Sequence, residues 1–248
     1  MTASARQLYI DLLIKILANT IYEDPSMHPK TAGTFQPELR SKGDDWPSVA
    51  HTMVGVQRLQ NLRELTERVL NDGIPGDFIE TGTWRGGCCI LIRGILAAYG
   101  VQDRKVFVAD SFEGLPPPNP KLYPADKGMN FHEYKELAIP LEQVRDNFSR
   151  YDLLDDRVEF VKGFFSDTLP ALEAGPFALL RLDGDLYEST YVALDALYPK
   201  LSPGGFVIVD DMNYVPACRK AVLDFRQRMK ITAPVQKVDW AASWWRKE

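Results

Sequence analysis

Asp77-Phe78-Ile79-Glu80-Thr81-Gly82-Thr83-Trp84-Arg85-Gly86-Gly87 starts as a short apolar strand and ends in a glycine-rich turn. Gly82 permits a tight turn and close ligand approach, and Gly86 and Gly87 open the next helix without a β-carbon. Residues Cys88 to Tyr99 are long enough for a crossover helix, after which Lys105-Val106-Phe107-Val108-Ala109-Asp110 forms a second apolar strand. The same rhythm predicts strands at Arg157 to Val161, Phe177 to Leu182 and Phe206 to Val209, with helices at Leu141 to Tyr151, Thr190 to Tyr198 and Pro216 to Met229. Ile231 to Trp245 supplies one or two edge strands. Apolar strands with little polar alternation, separated by helical lengths, predict an α/β fold: a doubly wound, mostly parallel sheet covered on both faces.

Outward from this core, residues 1–75 form an N-terminal helical extension and flap, and residues 76–248 a Rossmann-like core. From Gln7 to Tyr22, Leu8, Leu12, Ile16 and Leu17 recur at helical spacing, with Ile10, Leu13, Ile14 and Ile21 widening the apolar face. Such a helix buries most of its circumference, against its own subunit or another. Glu23 to Trp46 is rich in Pro, Gly and polar types and reads as a long flap. A second helix is expected from about Ser48 to Leu70, with Pro47 in its opening turn and Asn71 to Gly73 ending it.

Composition narrows the function. Among 248 residues, 29 Lys and Arg stand against 34 Asp and Glu, a net charge of −5, which argues against a phosphate-backbone-binding nucleic-acid protein. Cys88, Cys89 and Cys218 form neither a disulfide framework nor a spaced zinc signature, and no stretch approaches membrane-span length. The expected setting is cytoplasmic, without membrane or nucleic-acid partners.

In a doubly wound sheet, ligands bind beyond the carboxyl ends of the strands. The first turn is not the G-x-G-x-x-G phosphate fingerprint. Glu80 at the strand end would repel a pyrophosphate but suits a cofactor with a cationic amino-acid end. Asp110, followed by Ser111-Phe112-Glu113-Gly114, is placed either to accept ribose hydroxyl hydrogens or to cap its own turn. Gly163-Phe164-Phe165-Ser166-Asp167 offers material for a base pocket. Asp183, Asp210 and Asp211 emerge from consecutive strands at one sheet edge, where adjacent carboxylates repel unless protonated or bridged by a cation. All-oxygen ligation favours Mg²⁺. Such a metal acidifies a substrate hydroxyl, and Asp185, or alternatively His132, removes its proton. The Pro-rich insert from Leu115 to Ala125 is expected to wall the substrate site.

These residues resemble the macrocin O-methyltransferase family, antibiotic sugar O-methyltransferases dependent on S-adenosylmethionine. The resemblance runs from Leu8 through Trp245 and includes Val49 to Gly55, Gly76 to Gly82, Val108 to Gly114, Arg181 to Asp185, Leu201 to Phe206, Val209 to Asp211 and Val215 to Arg219. It implies cofactor contacts at Thr52, Met53, Glu80, Thr81, Gly82, Thr83, Trp84, Asp110, Ser111, Gly114, Phe165, Asp167 and Asp183. It also implies magnesium ligation by Asp183, Asp210 and Asp211, and a base at Asp185 with His132 as the alternative. It further implies a glycosylated small-molecule acceptor and a homodimer or larger homo-oligomer. Departures at Met27 to Asp45, at Leu115 to Met129 and at Met212-Asn213-Tyr214 leave the acceptor sugar and its methylated hydroxyl open. Two alternatives stand beside this reading: a catechol-like O-methyltransferase acting on a phenolic small molecule, and a non-catalytic metabolite-binding protein.

Overall fold

Five of the expected apolar runs are parallel strands: β1 (Asp77–Thr81), β2 (Val106–Asp110), β3 (Val158–Lys162), β4 (Phe177–Leu182) and β5 (Leu201–Val209). The computed structural model describes residues 4–28, 31 and 33–248. Two short strands, β6 (Gln236–Lys237) and β7 (Ser243–Arg246), complete a seven-stranded sheet of order β3-β2-β1-β4-β5-β7-β6, with β7 antiparallel to both neighbours. The chain builds outward from β1 on one side and then returns to β4 on the other. The switch point therefore lies between the carboxyl ends of β1 and β4.

Side-chain alternation divides the apolar residues between two cores: Phe78 of β1 points into one and the next residue, Ile79, into the other. On the first face pack α1 (Ala5–Leu17), α3 (Gly55–Asn71), α4 (Gly87–Ala98) and α5 (Leu141–Ser149). On the second pack α7 (Tyr187–Leu197) and α8 (Pro216–Arg228), with Trp245 of β7 fully buried among them. Two further short helices are α2 (Pro37–Lys42) and α6 (Phe165–Thr168). Among the described residues no helix is long and apolar enough to cross a membrane.

The N-terminal third departs most from expectation. Helix α1 opens with a capping box between Ser4 and Gln7 but ends at Leu17, five residues short of Tyr22, because Asn19 turns left-handed (φ 49°) and donates its side-chain amide to Asp24. Only Ile10, Leu13, Ile14 and Leu17 are buried in it; Leu8, Tyr9, Leu12 and Ile16 stay exposed in the single chain. Residues 48–54 are irregular rather than the start of the second helix. Arg85 Nη1 donates to the carbonyls of Pro47 and Ala50, which holds that segment away from helical geometry. The flap is a built unit. Arg40, 1% exposed, donates to Asp24 at 2.6 Å and to Asp45 at 2.7 Å, while Asp24 accepts the amides of Val49 and Ala50. Residues 29, 30 and 32 of the expected flap lie outside the described residues.

The insert after β2 carries three 3₁₀ turns, at Pro124–Asp126, Phe131–Glu133 and Lys135–Leu137. It is pinned to the sheet by Asp126, which is fully buried and accepts the backbone amides of Tyr187 (2.6 Å) and Glu188 (3.1 Å). A carboxylate from the insert thus caps the amino terminus of α7, where unsatisfied N–H groups favour negative charge.

Candidate active site

A cavity of about 470 Å³ opens at the carboxyl edge of the sheet, walled by the loops after β1, β2, β4 and β5, by the flap and by the insert. Gly82 (φ 78°) sits at the switch point, where an added β-carbon would lie 1.7 Å from the carbonyl oxygen of Asp183. Only glycine lets the β1 and β4 loops approach this closely. Three residues with side chains, Trp84 (φ 48°), Phe112 (φ 57°) and Asp185 (φ 54°), also adopt left-handed backbone in the loops after β1, β2 and β4. Such conformations carry a cost and persist where surrounding contacts impose them. Here Trp84 and Asp185 line the cavity, while Phe112 turns into the core behind it.

Asp110 ties two of these loops together. Its Oδ2 accepts the Thr83 amide at 2.7 Å and its Oδ1 the Phe112 amide at 2.8 Å; the Thr83 and Ser111 hydroxyls are farther, at 3.4 Å each. It is therefore the cap of its own turn. The two long hydroxyl contacts are the ones a ligand diol would displace. Burial pushes its pKa up, and the amides that donate to it oppose that shift.

The floor of the cavity is acidic. Asp183, Asp185 and Asp211 each bring an oxygen within 4.8 Å of the others. Asp210, expected in this group, is drawn out of it: its Oδ1 accepts from Arg181 and its Oδ2 from Arg58 at 2.5 Å. Arg181 also bonds Glu80 at 2.5 Å and Asp183 at 3.0 Å, and Arg58 pairs with Asp239 at 3.0 Å. Four carboxyl groups (Glu80, Asp183, Asp210 and Asp239) thus share two guanidinium groups, and Asp185 and Asp211 stand beside them without an ion pair to either arginine. Burial, then mutual repulsion, drives Asp183 and Asp211 well above the usual carboxylate range. The same causes push Asp185 up to about 7. Asp211 Oδ2 is buried with no hydrogen-bond partner among the described residues.

Most residues singled out in the sequence meet here. Thr52, Met53, Glu80, Gly82, Thr83, Trp84, Asp110, Ser111, Gly114, Phe165, Asp183, Asp185, Asp210 and Asp211 line the cavity. Thr81 stays in the sheet, and after β3 it is Ser166 rather than the exposed Asp167 that reaches the wall. Glu80 lines the cavity but is 1% exposed, with Oε1 on Arg181 and Oε2 accepting from the Cys89 thiol, so its charge is already met by the protein. His132 is exposed and outside the lining, although Phe131 and Tyr134 beside it are part of the wall. The two arginines were missed. A lone charged side chain inside Phe177-Ala178-Leu179-Leu180-Arg181-Leu182 was the available signal for Arg181. Arg58 lies 152 positions from Asp210, with nothing local to mark it.

A family model described as macrocin O-methyltransferase matches residues 6–247. The chain is 52% identical, over 99% of its length and 95% of the relative's, to the 8-demethyl-8-(2,3-dimethoxy-alpha-L-rhamnosyl)-tetracenomycin-C 4'-O-methyltransferase of Streptomyces olivaceus. It is 48% identical to the mycinamicin III 3''-O-methyltransferase of Micromonospora griseorubida, over 97% of this chain and 96% of that one. Among solved structures, the O-methyltransferase NovP superposes with a TM-score of 0.93 at 48% identity, covering 98% of this chain and 99% of that one.

Proposed function

The chain belongs to the macrocin O-methyltransferase family, and from that premise we propose that it transfers the methyl group of S-adenosylmethionine to a sugar hydroxyl of a glycosylated antibiotic or related natural product. The observation that carries this reading is the Asp183, Asp185 and Asp211 group, with oxygens within 4.8 Å, in the same cavity as the Gly82 and Asp110 loops. It sets an acidic reaction centre beside the strand ends where doubly wound sheets bind cofactors.

The donor set suits a hard divalent cation. It offers only oxygen, it includes the unpartnered Asp211 Oδ2, and it carries more negative charge than two guanidiniums balance. Asp183 and Asp211, common to the sequence expectation and the geometry, would hold Mg²⁺, with Asp210 fixed behind them by Arg58 and Arg181. When bound, S-adenosylmethionine supplies an electrophilic methyl group, and the cation supplies the field that acidifies the acceptor hydroxyl.

The chain's own residues do the rest. Asp110 offers its carboxylate to the ribose diol in place of the long Thr83 and Ser111 hydroxyl contacts, and Thr52, Met53, Trp84 and Phe165 wall the cofactor. Asp185, held in the cavity by its left-handed backbone, takes the acceptor's proton on a carboxylate oxygen. In the cation-free site burial and Asp210 raise its pKa above that of a solvated carboxylate, so it retains affinity for a proton beside the cation's opposing field. Flap and insert meet at the cavity, where Trp46 packs edge-on against Tyr134 at 5.2 Å, and the loop after β1 joins the insert through Trp84 Nε1, which donates to the Glu136 carbonyl at 2.9 Å. The exposed apolar face of α1, with Leu8 and Leu12 about half accessible (59% and 49%), is the surface we assign to a second copy of the chain.

The test incubates purified protein with methyl-labelled S-adenosylmethionine, with or without Mg²⁺, and a panel of rhamnosylated and otherwise glycosylated polyketides beside free catechols. Mg²⁺-dependent label on a sugar oxygen supports the proposal. Label on free catechols alone would transfer the chain to the phenolic alternative, and turnover unaffected by a chelator would remove the metal from the account.

A further inference from the structure

The cavity rim carries an aromatic pair that the reaction chemistry does not use. Tyr214 is 62% exposed and lines the cavity. Its ring meets that of Trp240 edge to face, with centroids 4.9 Å apart and planes at 82°. Two aromatic rings in contact, one of them this open, give the mouth of the cavity an apolar face that a ligand can cover.

Both rings stand on segments tied down by hydrogen bonds. The Tyr214 amide donates to the Asp211 carbonyl at 3.1 Å, so the backbone that carries this side chain is tied to a member of the acidic group only three residues away. Asn213 ties the same turn to the segment bearing Trp240, its amide donating to the Ala241 carbonyl at 2.8 Å and its side chain to the Ala242 carbonyl at 3.0 Å. Trp240 Nε1 donates to the Lys42 carbonyl at 2.9 Å, and the Arg58 guanidinium, which also holds Asp210, lies 5.6 Å from the Trp240 ring centre. The two segments that carry the pair are therefore tied to each other and to the acidic group. A ring that presents its hydroxyl to the acidic floor can lie against this pair, which lines the same cavity.

A pyranose has a polar rim and two faces with axial C–H groups. The rim hydroxyls suit the carboxylates of the floor, and a C–H face suits an aromatic ring, which gains area and dispersion contact without competing for hydrogen bonds. Resting on the sugar acceptor proposed above, we propose that Tyr214, buttressed by Trp240, is the platform on which the acceptor's sugar ring stacks. Tyr214 is thus a specificity-determining residue that acts through its ring rather than its hydroxyl.

Two probes test this in the full-length protein with Mg²⁺ and S-adenosylhomocysteine present: methyl α-L-rhamnopyranoside, and the rhamnosylated tetracenomycin methylated by the Streptomyces olivaceus relative. Saturation-transfer NMR should show magnetisation passing from protein aromatic protons to rhamnoside C–H groups in the wild type and in Tyr214→Phe, and its loss in Tyr214→Ala. In turnover of the rhamnosylated tetracenomycin, Tyr214→Ala should raise the acceptor KM about tenfold with kcat within about twofold, as expected when uniform binding is lost. S-adenosylhomocysteine affinity should be unchanged in both variants. An unchanged acceptor KM and saturation transfer in Tyr214→Ala overturns the platform. So does a Tyr214→Phe defect equal to that of Tyr214→Ala, which would assign the role to the hydroxyl, or a Tyr214→Ala shift to a smaller oligomer, which would assign the ring to a subunit contact. Absence of turnover of every sugar acceptor by the wild type would defeat the sugar-methylation reading itself, whereas absence of saturation transfer to the rhamnoside in a wild type that does turn over would defeat the platform alone.

Discussion

Removing divalent cations should cost this protein stability, and the cost should grow with pH. The carboxyl of Asp185 is pushed from 3.8 up to about 7 by burial and by Asp210. That gap corresponds to about 4 kcal/mol at ~1.4 kcal/mol per pH unit. Because the folded state holds this proton more tightly than the unfolded chain does, the site carries no penalty below the unfolded pKa near 4. Stability then falls as pH rises towards about 7, and the full penalty is present above that. Burial pushes Asp183 and Asp211 the same way, so Asp185 is not alone in this trend. A cation bound at a hundred times its dissociation constant restores about 2.7 kcal/mol. At ~2–4 °C per kcal/mol for a chain of this size, that is about 5–11 °C in Tm. Thermal unfolding followed at about pH 5 and about pH 8, in Mg²⁺ and in chelator, should show a small cation response at the lower pH and a shift of that order at the higher. Asp211→Asn should abolish the response while making the chelated protein more stable at about pH 8, since one repelling charge is gone. Identical melting in Mg²⁺ and chelator at about pH 8, or a chelated protein that gains stability as pH rises from 5, would refute the reasoning.

Three further outcomes are expected. Asp110→Ala should weaken S-adenosylhomocysteine binding by about 10- to 100-fold, the worth of hydrogen bonds to a charged group, with Mg²⁺ affinity little changed by calorimetry. Arg40→Ala should leave Asp24 and Asp45 buried without their guanidinium and lower stability by about 3–5 kcal/mol in chemical unfolding, where a surface arginine change such as Arg145→Ala costs well under about 1 kcal/mol. Leu8→Glu with Leu12→Glu should shift light-scattering mass towards the single chain, because both side chains lie on the exposed face of α1.

The sheet was legible because its strands are buried on both faces and read as nearly unbroken apolar runs; β4 begins at Phe177 and ends at Leu182, as its composition demands. Strand β5 begins at Leu201, five residues before Phe206, because Ser202-Pro203-Gly204-Gly205 carries none of that apolar signal. Helix starts failed where long-range contacts decide them: Pro47 has the right residue type for a first turn, but Arg85 from the β1 loop captures its carbonyl. The missed helix α2 had local signals in Pro37 at its start and left-handed Gly43 after its end, yet is only six residues long. In the site, the residues immediately after β1, β2, β4 and β5 were readable from topology alone. The part of Asp210 was not. It depends on Arg58, which a different helix delivers.

The central claim is that the acidic floor of the cavity performs proton removal during methyl transfer, with Asp185 as the acceptor of the proton. Single-turnover transfer from labelled S-adenosylmethionine to a sugar acceptor, at saturating Mg²⁺ and acceptor, tests it most directly in Asp185→Asn and His132→Ala. The account predicts that Asp185→Asn loses about 10²- to 10⁴-fold in rate while still binding S-adenosylhomocysteine and Mg²⁺, and that His132→Ala, altered at an exposed residue outside the cavity lining, stays near wild type. Wild-type single-turnover rates in Asp185→Asn, together with abolished transfer in His132→Ala at unchanged acceptor affinity, would contradict it.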